Sequence, residues 1–250
     1  MTATSPRPPD GPLLEADGIH KHFGALVVLD GVNFTVGRDE AVGIVGPNGA
    51  GKTTLLDVLS GAESPASGSV TLAGEDITGV GAAGHCRRGI GRSHQVPRPF
   101  GGMTVFENVL VGAATGGAHR GAGAHRVCIG VLERTGLLPL ANRPAEALGL
   151  LARKRLELAR ALATDPRVLL LDEIAGGLTD EETVELVELV RELRSQGVAI
   201  VWIEHIVHVL TQVVSRLVCL SAGRVIADGE PEAVMRDPAV VDAYLGRAAA

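Results

Sequence analysis

The chain has 250 residues, 46% of them hydrophobic and 21% charged, a balance too apolar for a disordered polypeptide and too charged for a membrane bundle. Twenty-three basic against 29 acidic residues give a formal charge of −6, which argues against nucleic acid as a partner. No apolar run approaches the roughly 18 residues of a membrane helix, and three widely spaced cysteines (Cys86, Cys128, Cys219) suit neither a disulfide framework nor a zinc knuckle.

Residues 1–12, rich in proline and without an apolar stretch, read as a disordered tail carrying no secretory signal. Short β-like runs separated by turn signals follow at 13–19, 26–29, 32–36 and 41–45. The last of these leads into Gly46-Pro47-Asn48-Gly49-Ala50-Gly51-Lys52-Thr53-Thr54, with a helix expected behind it over 55–59. In the middle of the chain, helices are expected at 104–112, 126–135 and 151–163. The Gly, Ala, His and Arg stretch over 112–126 reads as a solvent loop in which His119 and His125 are solvated. From Arg167 strands and helices alternate: strand 168–171, helix 180–195, strand 198–203, helix 207–214, then strands near 217–220 and 225–227. That alternation implies an α/β fold, a largely parallel sheet covered on both faces, with a helical middle inserted into it.

Gly46, Gly51, Lys52 and Thr53 satisfy the G-x-x-x-x-G-K-[ST] pattern between a strand and a helix. Glycines allow the loop to curl so that successive backbone N–H groups face phosphate oxygens, and the helix behind adds its positive end. Lys52 supplies charge for the β- and γ-phosphates, and the Thr53 hydroxyl suits Mg²⁺. Val168-Leu169-Leu170-Leu171 is expected as a buried strand beside the loop strand, ending in Asp172-Glu173. Asp172 then contacts Mg²⁺, directly or through water, and Glu173 reaches the water that attacks the γ-phosphate. The His205/His208 spacing could suggest a metal site, but no third ligand lies nearby in sequence.

Five motifs stand in order: the phosphate loop, Gln95 after a short strand, the helix Arg153-Lys154-Arg155-Leu156-Glu157-Leu158-Ala159-Arg160-Ala161-Leu162, Asp172-Glu173, and Ile203-Glu204-His205. Together they resemble the ATP-binding domain of ABC transporters over 13–246. Segments 92–100, 103–110 and 223–245 look like the ATP-binding subunits of branched-chain amino acid importers. The resemblance implies a P-loop NTPase core, mostly parallel with an antiparallel β part, and a helical subdomain at about 96–162. It also implies one domain over 13–246, with short tails at 1–12 and 247–250.

It further implies an ATPase that uses Mg²⁺ and powers an importer through separate membrane permeases. The partners would be those permeases, a second ATP-binding subunit (identical or related) and, indirectly, a substrate-binding protein. The place implied is the cytoplasmic, inner face of the plasma membrane, peripherally bound. Gln95 matches the glutamine that reaches Mg²⁺ and the attacking water, and His205 the switch histidine that contacts the γ-phosphate and orients Glu173. Phe23 matches the aromatic residue that stacks on adenine, although a lone Phe in an apolar stretch fits a core position equally well. Two departures stand out. The signature, usually Leu-Ser-Gly-Gly-Gln, is Leu148-Gly149-Leu150-Leu151-Ala152, which keeps the helix N-terminus for the partner's nucleotide but loses the hydroxyl. After Glu173 the usual Pro-x-Ser-Ala-Leu-Asp is Ile174-Ala175-Gly176-Gly177-Leu178-Thr179, where Thr179 and Glu182 instead spell a capping box. A related partner with an intact signature would let the Lys52/Glu173 site hydrolyse normally and leave the reverse site slow. The alternative is a nucleotide-binding switch that dimerises on ATP with little hydrolysis.

Overall fold

The computed structural model describes residues 11–117 and 119–245; the expected tails at 1–12 and 247–250 fall outside them except for Gly11 and Pro12. The first part of the chain forms β1 (Leu14–Phe23), β2 (Leu26–Val36), β3 (Ala41–Val45), α1 (Lys52–Leu59), β4 (Ser67–Leu72), β5 (Glu75–Asp76), α2 (Ala82–Arg87) and β6 (Ile90–Arg92). A helical stretch follows: α3 (Val105–Thr115), α4 (Ala122–Arg134) and α5 (Leu150–Leu162), with single 3₁₀ turns at Leu138–Leu140 and Ala145–Ala147. The last part forms β7 (Val168–Asp172), α6 (Asp180–Ser195), β8 (Ala199–Ile203), α7 (Val207–Leu210), β9 (Arg216–Ser221), β10 (Arg224–Gly229), α8 (Pro231–Arg236) and α9 (Pro238–Leu245).

The strands build two sheets. One is antiparallel, in the order β2-β1-β4-β5; the other runs β10-β9-β3-β8-β7-β6 and is parallel except for β10 at its edge. The core strands are short and buried on both faces, as parallel strands must be when both sides are covered. Side-chain alternation sends Val168 and Leu170 into one apolar cluster, shared with α1 and the antiparallel sheet. Leu169 and Leu171 go into the other, shared with α5, α6 and the helical stretch.

Several expectations need correction. The strand ending in Asp172 does not lie beside the loop strand: β8 sits between β3 and β7. All three strands are parallel, so their carboxyl ends still open onto one edge. The runs at 26–29 and 32–36 are one strand, carried through Gly31 at φ 71°, with register irregularities against β1 marking the bulge. The expected loop over 112–126 is mostly helix at its two ends, leaving only a short connection between α3 and α4. Its small residues are packing surfaces: Ala113 and Ala124 are buried in the core. A Cβ at Gly112 would stand 2.5 Å from the Arg160 carbonyl oxygen, so glycine lets α3 press against α5. His125 is exposed, as read, although it sits on α4 rather than in a loop and its ring lies edge-on to Phe106 at 5.5 Å. The helix expected at 207–214 stops at Leu210. The Thr179–Glu182 capping box forms as read, and a second one, Thr104 with Glu107, starts α3. No helix among the described residues is long and apolar enough to cross a membrane.

Candidate functional site

The loop between β3 and α1 owes its curl to glycine. Gly46, Gly49 and Gly51 have φ values of 143°, 80° and 102°. A Cβ at Gly46 would meet the Leu220 carbonyl oxygen at 2.0 Å, and one at Gly51 the Val28 carbonyl oxygen at 2.8 Å, so neither position admits a side chain. Pro47, Asn48 and Gly49 face outward, whereas Ala50 is buried beneath them. Gly51 precedes α1 without any side-chain cap, which leaves the helix's first amides open to an anion. Lys52 is buried inside the curl, its Nζ donating to the carbonyls of Gly46 (2.7 Å) and Pro47 (3.1 Å). Burial pulls its pKa down, while the negative charges of Glu173 and Asp172 oppose that shift. Thr53 is exposed at the helix start and Thr54 half-buried.

Asp172 ends β7 and is only 4% exposed. Burial raises its pKa, and the Arg92 guanidinium counters by pairing with it at 3.3 Å. The same guanidinium binds Asp57 Oδ1 (2.5 Å) and Ser60 Oγ (3.0 Å) on and just after α1, so it ties β6, β7 and the loop helix together. Glu173, next in sequence, has φ +47°, a left-handed conformation that non-glycine residues seldom adopt. Its carboxylate stands between two partners. Gln95 Nε2 donates to Oε2, and His205 Nε2 lies 2.5 Å from Oε1. Three residues from distant parts of the sequence thus meet at one carboxylate.

Phe23 ends β1 with 49% of its surface exposed, and the Lys21 amine sits 4.9 Å from the ring centre. That excludes the core alternative and leaves a ring face free to stack. In the signature region Leu148 is buried, Gly149 is the uncapped N-cap of α5, and Leu151 and Ala152 are half-buried. Leu150, 42% exposed, leans toward Gly177 of its own chain, which keeps the side chain to the side of the helix end.

Sequence reasoning missed Arg92, Asp57 and Tyr244. The Tyr244 hydroxyl on α9 accepts the Gly46 N–H at 2.9 Å, so the C-terminal helix holds the first residue of the curl. No local pattern reveals a contact across 198 positions. Arg92 had a faint signal, a lone arginine in a short strand that has to be buried.

The donor set around the curl is of hard oxygens: the Thr53 hydroxyl, the Asp172 carboxylate and the Gln95 amide. This suits Mg²⁺, which keeps waters and shares its ligands with phosphates rather than needing an all-protein cage.

Comparison with known proteins agrees with this geometry. Residues 29–176 match the ABC transporter family, and residues 224–250 match the family described as branched-chain amino acid ATP-binding cassette transporter. The chain is 37% identical to the high-affinity branched-chain amino acid transport ATP-binding protein BraF of Pseudomonas aeruginosa, over 95% of this chain and 99% of that protein. It is equally similar, over the same shares, to LivG of Escherichia coli, which bears the same description. Among solved structures, the ADP conformation of MJ1267, an ATP-binding cassette of an ABC transporter, superposes with a TM-score of 0.87 at 31% identity, covering 94% and 99% of the two chains.

Proposed function

Because the chain belongs to the ABC transporter family, we propose that it is the ATP-binding and ATP-hydrolysing subunit of an importer whose membrane subunits are separate chains. The relatives are described as branched-chain amino acid transport proteins, and those amino acids or a related small solute are the cargo we assign. The observation that carries the reading is the convergence of Gln95, Glu173 and His205 beside the Lys52 curl.

Residues 13–246 act as one ATP-binding domain, with 96–162 as its helical subdomain. The Gly46–Thr54 curl, through those of its backbone N–H groups left open, and the Lys52 ammonium bind the triphosphate, and the exposed face of Phe23 takes the adenine. Mg²⁺, held by Thr53, Asp172 and Gln95, would neutralise charge developing on the phosphate oxygens. Glu173 accepts a proton from the attacking water, and His205 and Gln95 fix the carboxylate's direction. The intact set of Gln95, Glu173 and His205 favours hydrolysis over a mere binding switch.

The chain closes on a second ATP-binding subunit across the nucleotide, presenting the α5 end from Leu148 to Ala152. A cavity of about 290 Å³ between α2, β6, α3 and α5, edged by Glu157 and Arg160, is where we place the permease contact. Arg160 also donates to the Arg98 carbonyl and lies 4.6 Å from the Phe100 ring centre, so a push there moves the Gln95 loop. Attachment to permeases puts the chain peripherally on the cytoplasmic face of the plasma membrane. The test is Glu173→Gln in the assembled transporter: ATP still binds, and turnover falls by about 100-fold or more. Turnover that barely falls would overturn the assignment of Glu173.

A further inference from the structure

Two charged residues beneath the site have no role so far, and both are almost wholly buried. Lys154, on α5, is 5% exposed, and Glu204, at the end of β8, is 2% exposed. Buried ions are costly unless they serve a partner. Here each grips the turn that carries Glu173. Glu204 Oε1 accepts the backbone N–H of Ala175 at 2.7 Å. Lys154 Nζ donates to the carbonyl of Glu173 at 3.5 Å and to that of Gln95 at 3.3 Å. The Glu173 N–H itself donates to Ile203 at 2.9 Å. A left-handed residue in mid-turn persists only where its surroundings over-determine it, and these contacts are what surround Glu173. Burial pushes the Lys154 pKa down, which the negative charge of Glu204 opposes, and pushes the Glu204 pKa up, which hydrogen bonding led by the Ala175 N–H opposes.

We propose that Lys154 and Glu204 are positioning residues, which lock the backbone of Glu173 and Gln95 so that their side chains meet at the attacking water. The inference rests on the ATPase reading above and deepens it. Neither residue touches the substrate; both act through the turn. Lys154 also lies about one helical turn past Leu150, the α5 end offered to the partner's nucleotide. A rigid α5 therefore links that end to the chain's own base, and displacing α5 releases the Glu173 and Gln95 carbonyls together.

The test uses the full chain assembled with its membrane subunits, in four variants: Lys154→Met, Lys154→Arg, Glu204→Ala and Glu204→Gln. Melting temperature, ATP affinity, KM and kcat are measured for each, with Glu173→Gln as reference. Misplacing a catalytic group slightly costs on the order of 10- to 100-fold in rate. Lys154→Met and Glu204→Ala are expected to lose that much kcat, with KM and ATP affinity within about twofold of wild type. Glu204→Gln keeps an oxygen for the Ala175 N–H and Lys154→Arg keeps a cationic donor, so both recover most of the rate. Wild-type kcat in Lys154→Met and Glu204→Ala, beside an inactive Glu173→Gln, would overturn the positioning role and leave the ATPase reading standing. So would a loss in Glu204→Gln as deep as in Glu204→Ala, or a loss of rate matched by an equal loss of ATP-binding sites. If Lys154→Met or Glu204→Ala does not fold, the conservative pair decides: retained kcat in both supports the role, and loss in both overturns it. A wild-type complex that hydrolyses nothing would bring down the ATPase reading and this inference with it.

Discussion

Tyr244→Phe removes one oxygen from the far end of the chain and, on this structure, weakens the phosphate curl. The lost hydroxyl is the acceptor for the Gly46 N–H, 2.9 Å away. Gly46 cannot turn to another acceptor: it is buried, and its backbone is packed so tightly that even a Cβ would collide with the Leu220 carbonyl at 2.0 Å. A buried donor left without a partner costs about 1–3 kcal/mol. In a domain this large, each kcal/mol lowers the melting temperature by roughly 2–4 °C. The curl that binds phosphate is the part that relaxes, so ATP affinity drops as well, by tenfold for every ~1.4 kcal/mol that reappears in binding. A thermal melt and a titration with Mg-ATP, each against wild type, measure both effects. A Tyr244→Phe chain that melts and binds like wild type would refute the idea that α9 braces the curl.

Two further substitutions probe the same site. Gly149→Ser restores a hydroxyl at the start of α5, where the backbone is extended (φ −68°, ψ 173°) and no atom lies within 4 Å of a new Cβ. It should raise ATP turnover at the site this helix completes by up to about 10²–10³-fold, the worth of one aligned donor to transition-state charge, as read by steady-state ATPase assays. Arg92→Met strands Asp172 in a nearly buried position and should destabilise the fold by about 3–5 kcal/mol in chemical denaturation. Adding Asp172→Asn to Arg92→Met should return part of that loss, because no buried charge is then left unpaired.

What the sequence made legible was local and contiguous. Gly46 through Thr54 carries its own explanation, since turn, helix start, lysine and hydroxyl are neighbours in the chain. So do the Asp172-Glu173 end of a strand and the Thr179 cap, whose bonding partner is three residues on. What stayed hidden depends on which distant segments meet. The insertion of β8 between β3 and β7 is a matter of strand order, and the apolar runs of the three strands look alike. Gly112, Ala113 and Ala124 look like loop residues because small side chains give no hydrophobic period, yet smallness is what lets α3 sit against α5. Lys154 lay in plain view between two arginines; only the fold shows that it alone of the three turns inward to the Glu173 carbonyl. Tyr244 and Gly46 could not have been paired by any periodicity.

The most direct measurement is calorimetric titration of the full chain with ATP and magnesium, for wild type and Lys52→Ala. If the curl and its lysine hold the triphosphate, wild type binds one nucleotide per chain. The Lys52→Ala chain, folded to the same melting temperature within a few degrees, then binds it at least about tenfold more weakly. Equal binding by the two proteins, or no binding by wild type, would contradict the account at its base.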